Sequence, residues 1–231
     1  MQPELTPMLL FTVIFAVIIL AVVIGIASYM ANKKRMEAFR ALASRLGLTF
    51  DESKRPDLAE QYGLLNKLAQ GANRYCFNTL AGSYQGQQIL VTDYHYETYS
   101  TNSKGQRQTH HHYLALFTLQ LPAAFPELTI AREGLFSKIA QAFGYDDIDF
   151  ESAEFSRNFC VRSPAKKFAY DVCNAKMLDY LLDNKDLSVE IERNVLALVF
   201  PGMLVIEKIE PNLGRLLEIR ARMPNYLFER T

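Results

Sequence analysis

Histidine is the side chain with the clearest capacity for chemistry in this sequence, and its four copies are clustered. All four fall within one stretch of 18 residues: His95, His110, His111 and His112. A turn-like run, TNSKG at 101–105, separates the first histidine from the other three. Stretches rich in Thr, Tyr and Val on both sides of such a turn predict a β-hairpin. We therefore expect the histidines to lie on two paired strands.

The register of this hairpin decides which histidines meet. If the tip is centred at 103–104, residues whose numbers add up to 207 face each other. His95 then lies opposite His112 and Glu97 lies opposite His110, all on one face, while the remaining histidine points the other way. Imidazole nitrogens and a carboxylate are ligands for zinc, nickel or copper, so this register predicts a transition-metal site. The alternative is a solvated hairpin end, because a slip of one residue scatters the cluster over both faces.

Tyrosines interleave with these histidines. On an exposed hairpin, Tyr96, Tyr99 and Tyr113 can stack on another protein, and we predict that they contribute to partner binding. The alternative is structural: Tyr94, Tyr96 and Tyr113 share the face that carries His111 and pack against helices. Stacking on nucleobases is not expected, because the sequence has no basic groove beside these rings.

Other kinds of catalytic site are not indicated by local motifs. The sequence has no G-x-S-x-G elbow and no phosphate-binding loop, and its acidic run at 146–149 lacks the spacing of an EF-hand. The three cysteines, Cys76, Cys160 and Cys173, form no C-x-x-C pair and lie among apolar residues, which predicts reduced core thiols. No cofactor is predicted apart from the possible metal.

An early run of uncharged residues indicates where in the cell the chain is located. Residues 8–30 contain no charged side chain, and as a helix they would span roughly 34 Å, enough to cross a bilayer. Before the run the only charged residue is Glu4, and after it come five cations: Lys33, Lys34, Arg35, Arg40 and Arg45. Cations beside a span favour the cytoplasmic side. We predict a single-pass inner-membrane protein with residues 1–7 outside and the domain in the cytoplasm. Cleavage of a signal peptide near Gly25 is the alternative.

The remaining chain predicts one soluble α+β domain. Residues 31–47 form a juxtamembrane amphipathic helix by their apolar spacing, and 48–231 form a domain with a mainly antiparallel sheet and packed amphipathic helices. One helix is expected from Ser163 to about residue 183, two strands flank a tight turn at 193–194, and a further strand is expected at 203–209. The chain carries 25 basic and 25 acidic residues, which gives no reason to expect nucleic acid as a partner.

The sequence over residues 149–200 resembles a bacterial family of uncharacterised membrane-anchored proteins. In that family a strand with acidic and aromatic residues precedes a helix that ends in paired leucines, and a strand with a central asparagine turn follows. The matching residues here are Phe150, Glu151, Phe155, Phe159, Ala165, Ala169, Leu181, Leu182 and Asn194. The resemblance implies an α+β fold and a membrane location, and it implies no active site.

Three functions follow as hypotheses. The first is a membrane-tethered cytoplasmic module that binds a protein partner, with the bilayer contacted by residues 8–30. The second is a metal-responsive sensor that uses the hairpin histidines. The third is a membrane-bound hydrolase whose site is assembled only by folding.

Overall fold

The computed structural model describes residues 7–65, 68–132 and 147–229. It divides the chain into two units, Met1–Leu42 and Ala43–Thr231. The second unit combines an antiparallel sheet with short helices, which confirms the predicted α+β class. The predicted tail at 1–7 lies outside the described residues apart from residue 7.

The first helix, α1 (Pro7–Leu46), is continuous through the predicted span and the predicted juxtamembrane helix. Its large apolar side chains from Phe11 to Met30 are exposed, and by length and composition the helix can cross a membrane, a property that signal sequences share. Gly47 ends the helix with a φ of +70°, its N–H bonded to the Ser44 carbonyl at 3.3 Å. This is the glycine stop that the sequence predicts.

In the residues that the structure describes, the domain has six strands and five further α-helices. The strands are β1 (Thr49–Asp51), β2 (Ala72–Tyr84), β3 (Gln87–Thr101), β4 (Arg107–Arg132), β5 (Phe159–Arg162) and β6 (Val189–Pro201). The helices are α2 (Pro56–Gln61), α3 (Ala153–Asn158), α4 (Lys166–Val172), α5 (Ala175–Asp183) and α6 (Ile206–Arg222). Consecutive strands from β1 to β4 pair antiparallel as a meander, and the long β4 also pairs with β5 and β6.

Strand β6 reverses direction near its middle. The Val199 N–H donates to the Ser188 carbonyl at 3.2 Å, and Arg193 has a φ of +52°. Eleven extended residues would span about 35 Å, so this bond places the two halves of β6 side by side. They correspond to the two strands predicted around the turn at 193–194.

One helix prediction and one strand prediction need correction. The helix expected from Ser163 is divided into α4 and α5, because the Asn174 side chain accepts the Met177 N–H at 3.2 Å and caps a new helix there. The strand expected at 203–209 is wrong. Leu204 is fixed by a hydrogen bond from its N–H to the buried Asp93 carboxylate at 2.5 Å, and α6 begins two residues later.

One face of the sheet is packed by the segment that contains α2. Its core is formed by buried side chains from that segment and from four strands: Ala59, Tyr62, Leu65, Leu68, Cys76, Tyr94, Leu116, Ala197 and Val199. Tyr94 is fully buried, and its hydroxyl donates to the Leu68 carbonyl at 2.6 Å. The packing holds β3 and β4 in place where the histidine-bearing hairpin leaves the sheet.

Candidate functional site

The end of the β3–β4 hairpin extends beyond its neighbours in the sheet. Among the described residues, β2 pairs with β3 only as far as Glu97, and β6 pairs with β4 only from Leu114 onward. We call residues 98–112 the ribbon. All four histidines lie on the ribbon or at its base.

The register of the ribbon differs by one residue from the predicted register. Facing residues have numbers that add up to 208, so His95 lies opposite Tyr113 and Glu97 lies opposite His111. The predicted pairs of His95 with His112 and of Glu97 with His110 are therefore wrong. Because side chains alternate along a strand, the shift moves each β4 histidine to the opposite face.

The turn at the tip explains this shift. The Asn102 side chain accepts the N–H groups of Lys104 and Gln106, each at 2.9 Å, and Gly105 has a φ of +76°. The loop consequently contains five residues and is centred on Lys104. An even loop centred at 103–104 was the assumption behind the predicted register.

One face of the ribbon base, the convergent face, brings together His95, Glu97 and His111. His95 Nε2 lies 2.9 Å from His111 Nδ1, which in turn lies 3.5 Å from Glu97 Oε1. One ligand atom from each of the three residues lies within 4.8 Å of the others. Two of the four predicted metal ligands are thus joined by the histidine that was expected to point away.

Both ligand groups on β3 have partners on their far sides. The Asn73 carbonyl lies 3.1 Å from His95 Nδ1, and the Asn73 amide donates to Glu97 Oε1 at 2.6 Å. The Tyr99 hydroxyl donates to Glu97 Oε2 at 3.0 Å. Asn73 adopts a left-handed φ of +48° at an irregularity in β2, a conformation that asparagine tolerates better than most residues. It orients the two groups together.

The three residues differ in how deeply they are buried. His95 is 1% exposed and stacks on Tyr75 with ring centroids 4.4 Å apart, whereas the His111 side chain is 54% exposed. Burial lowers the pKa of His95 below its usual value and so favours the neutral ring. Hydrogen bonding, chiefly from Asn73, lowers the pKa of Glu97 and favours the carboxylate.

The opposite side of the ribbon, the packed face, carries His110 and His112. His112 stacks on Tyr96 at 4.7 Å, and its Nε2 is hydrogen-bonded to Thr98 Oγ1 at 2.8 Å. His110 Nε2 is hydrogen-bonded to Ser100 Oγ at 2.7 Å. Each histidine thus pairs with a hydroxyl on β3, and the two do not join the His95 cluster.

The predicted partner-binding tyrosines are divided between the two faces. Tyr99 and Tyr113 lie on the convergent face and are 43% and 37% exposed. Tyr96 lies on the packed face with Tyr94 and packs against the buried core, as the structural alternative expects. His111 and Tyr113, which that alternative placed on the same face, lie on the convergent face. Arg107 lies over the Tyr99 ring at 3.6 Å from its centroid and holds that ring on the ribbon surface.

Two cysteines can be set aside as nucleophiles. Cys76 and Cys173 are buried free thiols, and burial raises the pKa of each to about 12. A thiol with such a pKa is almost entirely protonated at neutral pH and is a poor nucleophile.

Comparisons with known proteins give a match at the level of the fold. Neither a protein-family model nor a curated protein matches the chain. The chain is similar in structure to the mycobacterial trehalose monomycolate transport factor A, TtfA. The TM-score is 0.56 at 10% identity, over 81% of this chain and 95% of TtfA. This likeness shows a shared fold, and its bacterial source is consistent with the resemblance noted from the sequence.

His111 and Asn73 are the site residues that the sequence interpretation missed. His111 was assigned to the wrong face by the loop length alone. Asn73 lies 22 residues before His95 and acts through its backbone carbonyl as well as its side chain. The only sequence signal is its position after Gly71, where a turn-forming residue precedes a strand.

Proposed function

We propose that the chain is a membrane-tethered module that binds a protein partner by adding a strand to the ribbon. The observation that carries this proposal is the extension of β3 and β4 beyond the described parts of β2 and β6. A two-stranded ribbon presents unpaired backbone N–H and C=O groups along both outer edges, and an extended segment of another protein can pair with them.

The outward-pointing groups can be assigned from the hydrogen bonds at the base and tip. The Tyr113 carbonyl accepts the Gly202 N–H at 2.9 Å, so the backbone of Tyr113 points away from β3. Alternation along an antiparallel strand then makes His111, Thr109 and Arg107 outward-pointing on β4. At the tip, Asn102 N–H donates to the Gln106 carbonyl at 3.0 Å, which is consistent with this alternation.

The anchor and the fold support an accessory role at a membrane. Helix α1 would keep the ribbon close to the bilayer and raise its effective concentration toward a membrane partner. TtfA, which shares the fold, is named as a transport factor. By analogy of fold, we propose that this chain assists a membrane process by holding a partner and does not itself catalyse a reaction.

The edge model is tested with proline, which removes one backbone donor. Detergent extracts are probed with full-length chain carrying Thr109→Pro. This variant loses an outward-pointing N–H, while the hydrogen bonds between β3 and β4 are kept. Thr109→Val is the matched control, because it alters the same side chain and retains the N–H. Thr101→Pro makes the same test on the β3 edge. We expect one proline variant to lose the partners that wild type and Thr109→Val recover. Equal recovery by all variants would exclude the ribbon edges.

We further propose that the domain faces the cytoplasm. The five cations after the apolar run support this orientation, and three cysteines that form no disulfide suit a reducing compartment. A fluorescent reporter and a periplasmic phosphatase, each fused after Thr231, distinguish the sides. The fluorescent fusion should be active and the phosphatase fusion inactive. The reverse pattern would place the domain outside.

A further inference from the structure

We infer that His95, Glu97 and His111 form a binding site for a divalent transition-metal ion such as zinc. This inference goes beyond the proposed partner binding and does not depend on it. Its basis is the convergence of two imidazole nitrogens and one carboxylate oxygen on one side of the ribbon base.

The spacing suits a small ion. Zinc binds nitrogen and oxygen ligands at about 2.0–2.2 Å, so ligand atoms around a tetrahedral ion lie roughly 3.3–3.5 Å apart. His111 Nδ1 and Glu97 Oε1 are 3.5 Å apart, and His95 Nε2 and His111 Nδ1 are 2.9 Å apart. Of these two distances an ion would need to widen only the second, by a few tenths of an ångström, and His111 is exposed enough to move. The ligand atoms of His95 and Glu97 lie within 4.8 Å of each other.

The surrounding bonds prepare the ligands. A proton on His95 Nδ1 donates to the Asn73 carbonyl, which leaves the Nε2 lone pair directed at His111. The Asn73 amide and the Tyr99 hydroxyl fix the Glu97 carboxylate. Bonds of this kind, from ligating histidines to carbonyls and from donors to ligating carboxylates, orient ligands at known metal sites.

The chemistry of the donors selects the class of metal. Two imidazoles and one carboxylate suit zinc, nickel or copper better than calcium or magnesium, which take oxygen ligands. Three protein ligands leave at least one coordination position, and the exposure of His111 makes it accessible to water or to a side chain of a bound partner. On binding, the proton that bridges the two rings leaves His111 Nδ1, and Nε2 of the same ring takes one up from solvent, so His111 ligates as a neutral imidazole.

The two faces of the ribbon provide the matched controls. Full-length chain with a histidine-free affinity tag is incubated with ZnCl₂ in detergent and desalted, and its zinc content and affinity are measured by mass spectrometry and calorimetry. Wild type should retain one zinc ion per chain. His111→Ala should weaken binding by about 100-fold or more, above the 10–100-fold typical of outer partners. His110→Ala and His112→Ala should bind as wild type does.

Two further variants keep the test independent of folding. Asn73→Gly preserves the left-handed backbone and the carbonyl but removes the amide, and should weaken zinc binding by about 10–100-fold. Glu97→Gln retains side-chain shape, and zinc should no longer raise its thermal unfolding temperature, as it should for wild type. The inference is overturned if wild type retains no zinc. It is also overturned if His111→Ala binds as wild type does, or if His110→Ala and His112→Ala lose zinc equally.

Discussion

Both faces of the ribbon base carry histidine, tyrosine and threonine residues from the same two strands, yet their organisation differs. On the convergent face, His111 contacts both His95 and Glu97, and Asn73 is an outer partner of the latter two. On the packed face, His112 contacts only ring and hydroxyl neighbours among its described partners, Tyr96 and Thr98. A third strand is the source of the difference. Strand β2 supplies Asn73 beneath the convergent face, whereas the segment containing α2 supplies apolar packing to the other.

This comparison separates a face suited to chemistry from a face suited to stability. Polar groups that converge and are oriented from behind can bind a ligand without rearrangement. Aromatic rings buried against leucines contribute transfer free energy and fix the strands. The following predictions test whether the two roles can be varied separately.

The register itself gives the largest expected effect. Tyr99 and Thr109 face each other, and alternation makes them a closely spaced pair without ladder hydrogen bonds, a geometry in which two cysteines can join. The double variant Tyr99→Cys/Thr109→Cys should cross-link almost completely under mild oxidation. Tyr99→Cys/Gln108→Cys fits the register with a sum of 207 and should stay reduced. Mass spectrometry of the peptides distinguishes them, and the opposite outcome would mean that His112, not Tyr113, faces His95.

Removing the central ring of the packed face should give the next largest effect. Tyr94 is fully buried, and its hydroxyl bonds the Leu68 carbonyl. Tyr94→Ala should lower the free energy of unfolding by about 3–5 kcal/mol, because it leaves a large cavity. Tyr94→Phe should cost about 0.5–1.5 kcal/mol, since the Leu68 carbonyl loses one donor and keeps the Arg74 guanidinium at 3.4 Å.

The control for this prediction comes from the convergent face. His111 has an exposed side chain, so His111→Ala should change stability by no more than about 0.5 kcal/mol. Urea unfolding of the full-length chain in mild detergent measures all three variants. If His111→Ala lowered the free energy of unfolding as much as Tyr94→Ala does, the packed face could not be assigned the stabilising role alone.

Gly71 lies close to one residue of each face, Glu97 and Tyr96. Its φ is +67°, and an added Cβ would clash with the Glu97 carbonyl oxygen and lie 2.7 Å from Tyr96 Cδ2. Gly71→Ala should cost about 2–5 kcal/mol, from left-handed backbone strain together with overpacking. Gly86, with a φ of +78° and open space around it, is the control, and Gly86→Ala should show only the strain of about 1–2 kcal/mol. Equal losses in unfolding experiments would show that the space beside Glu97 is not tight.

The extent to which the sequence predicts this arrangement depends on the range of the interactions. The uncharged run that forms α1, the stop at Gly47 and the turn at 193–194 are local patterns, and the structure contains all three. The hairpin was also predicted, but its register depended on whether the tip holds an even or an odd number of residues. The Asn102 side chain decides this through two hydrogen bonds that composition does not indicate.

Asn73 illustrates a second reason why the site could not be predicted in full. Its contribution requires an irregularity in β2 that turns its carbonyl and amide toward β3 at the same time. Nothing in the residues near 73 indicates which strand will lie beside it or in which register. The position of the site therefore depends on how three strands pair, which the sequence does not indicate. The types of its residues could be predicted from the cluster of histidines alone.

The smallest expected effect is the pH dependence of stability that arises on the convergent face. Burial lowers the pKa of His95 in the folded state, and together with smaller lowering contributions from His111 and Lys54 it outweighs the opposing effects of Asn73 and Glu97. The unfolded chain therefore binds the proton more readily, and stability decreases as the pH falls below the unfolded value of about 6.5 toward the lower folded value. Above 6.5 this contribution is fully present.

Thermal unfolding at pH values from 7.5 to 5, which spans that window, checks this prediction. His95→Gln should flatten the profile over the window, because glutamine does not titrate, whereas His112→Gln removes an imidazole from the packed face and should leave the slope that His95 contributes. If both variants keep the wild-type slope, a group other than His95 causes the pH dependence of stability. Burial would then not lower the pKa of His95 in the folded state. A flat profile for His112→Gln alone would assign the pH response to the packed face and reverse the comparison.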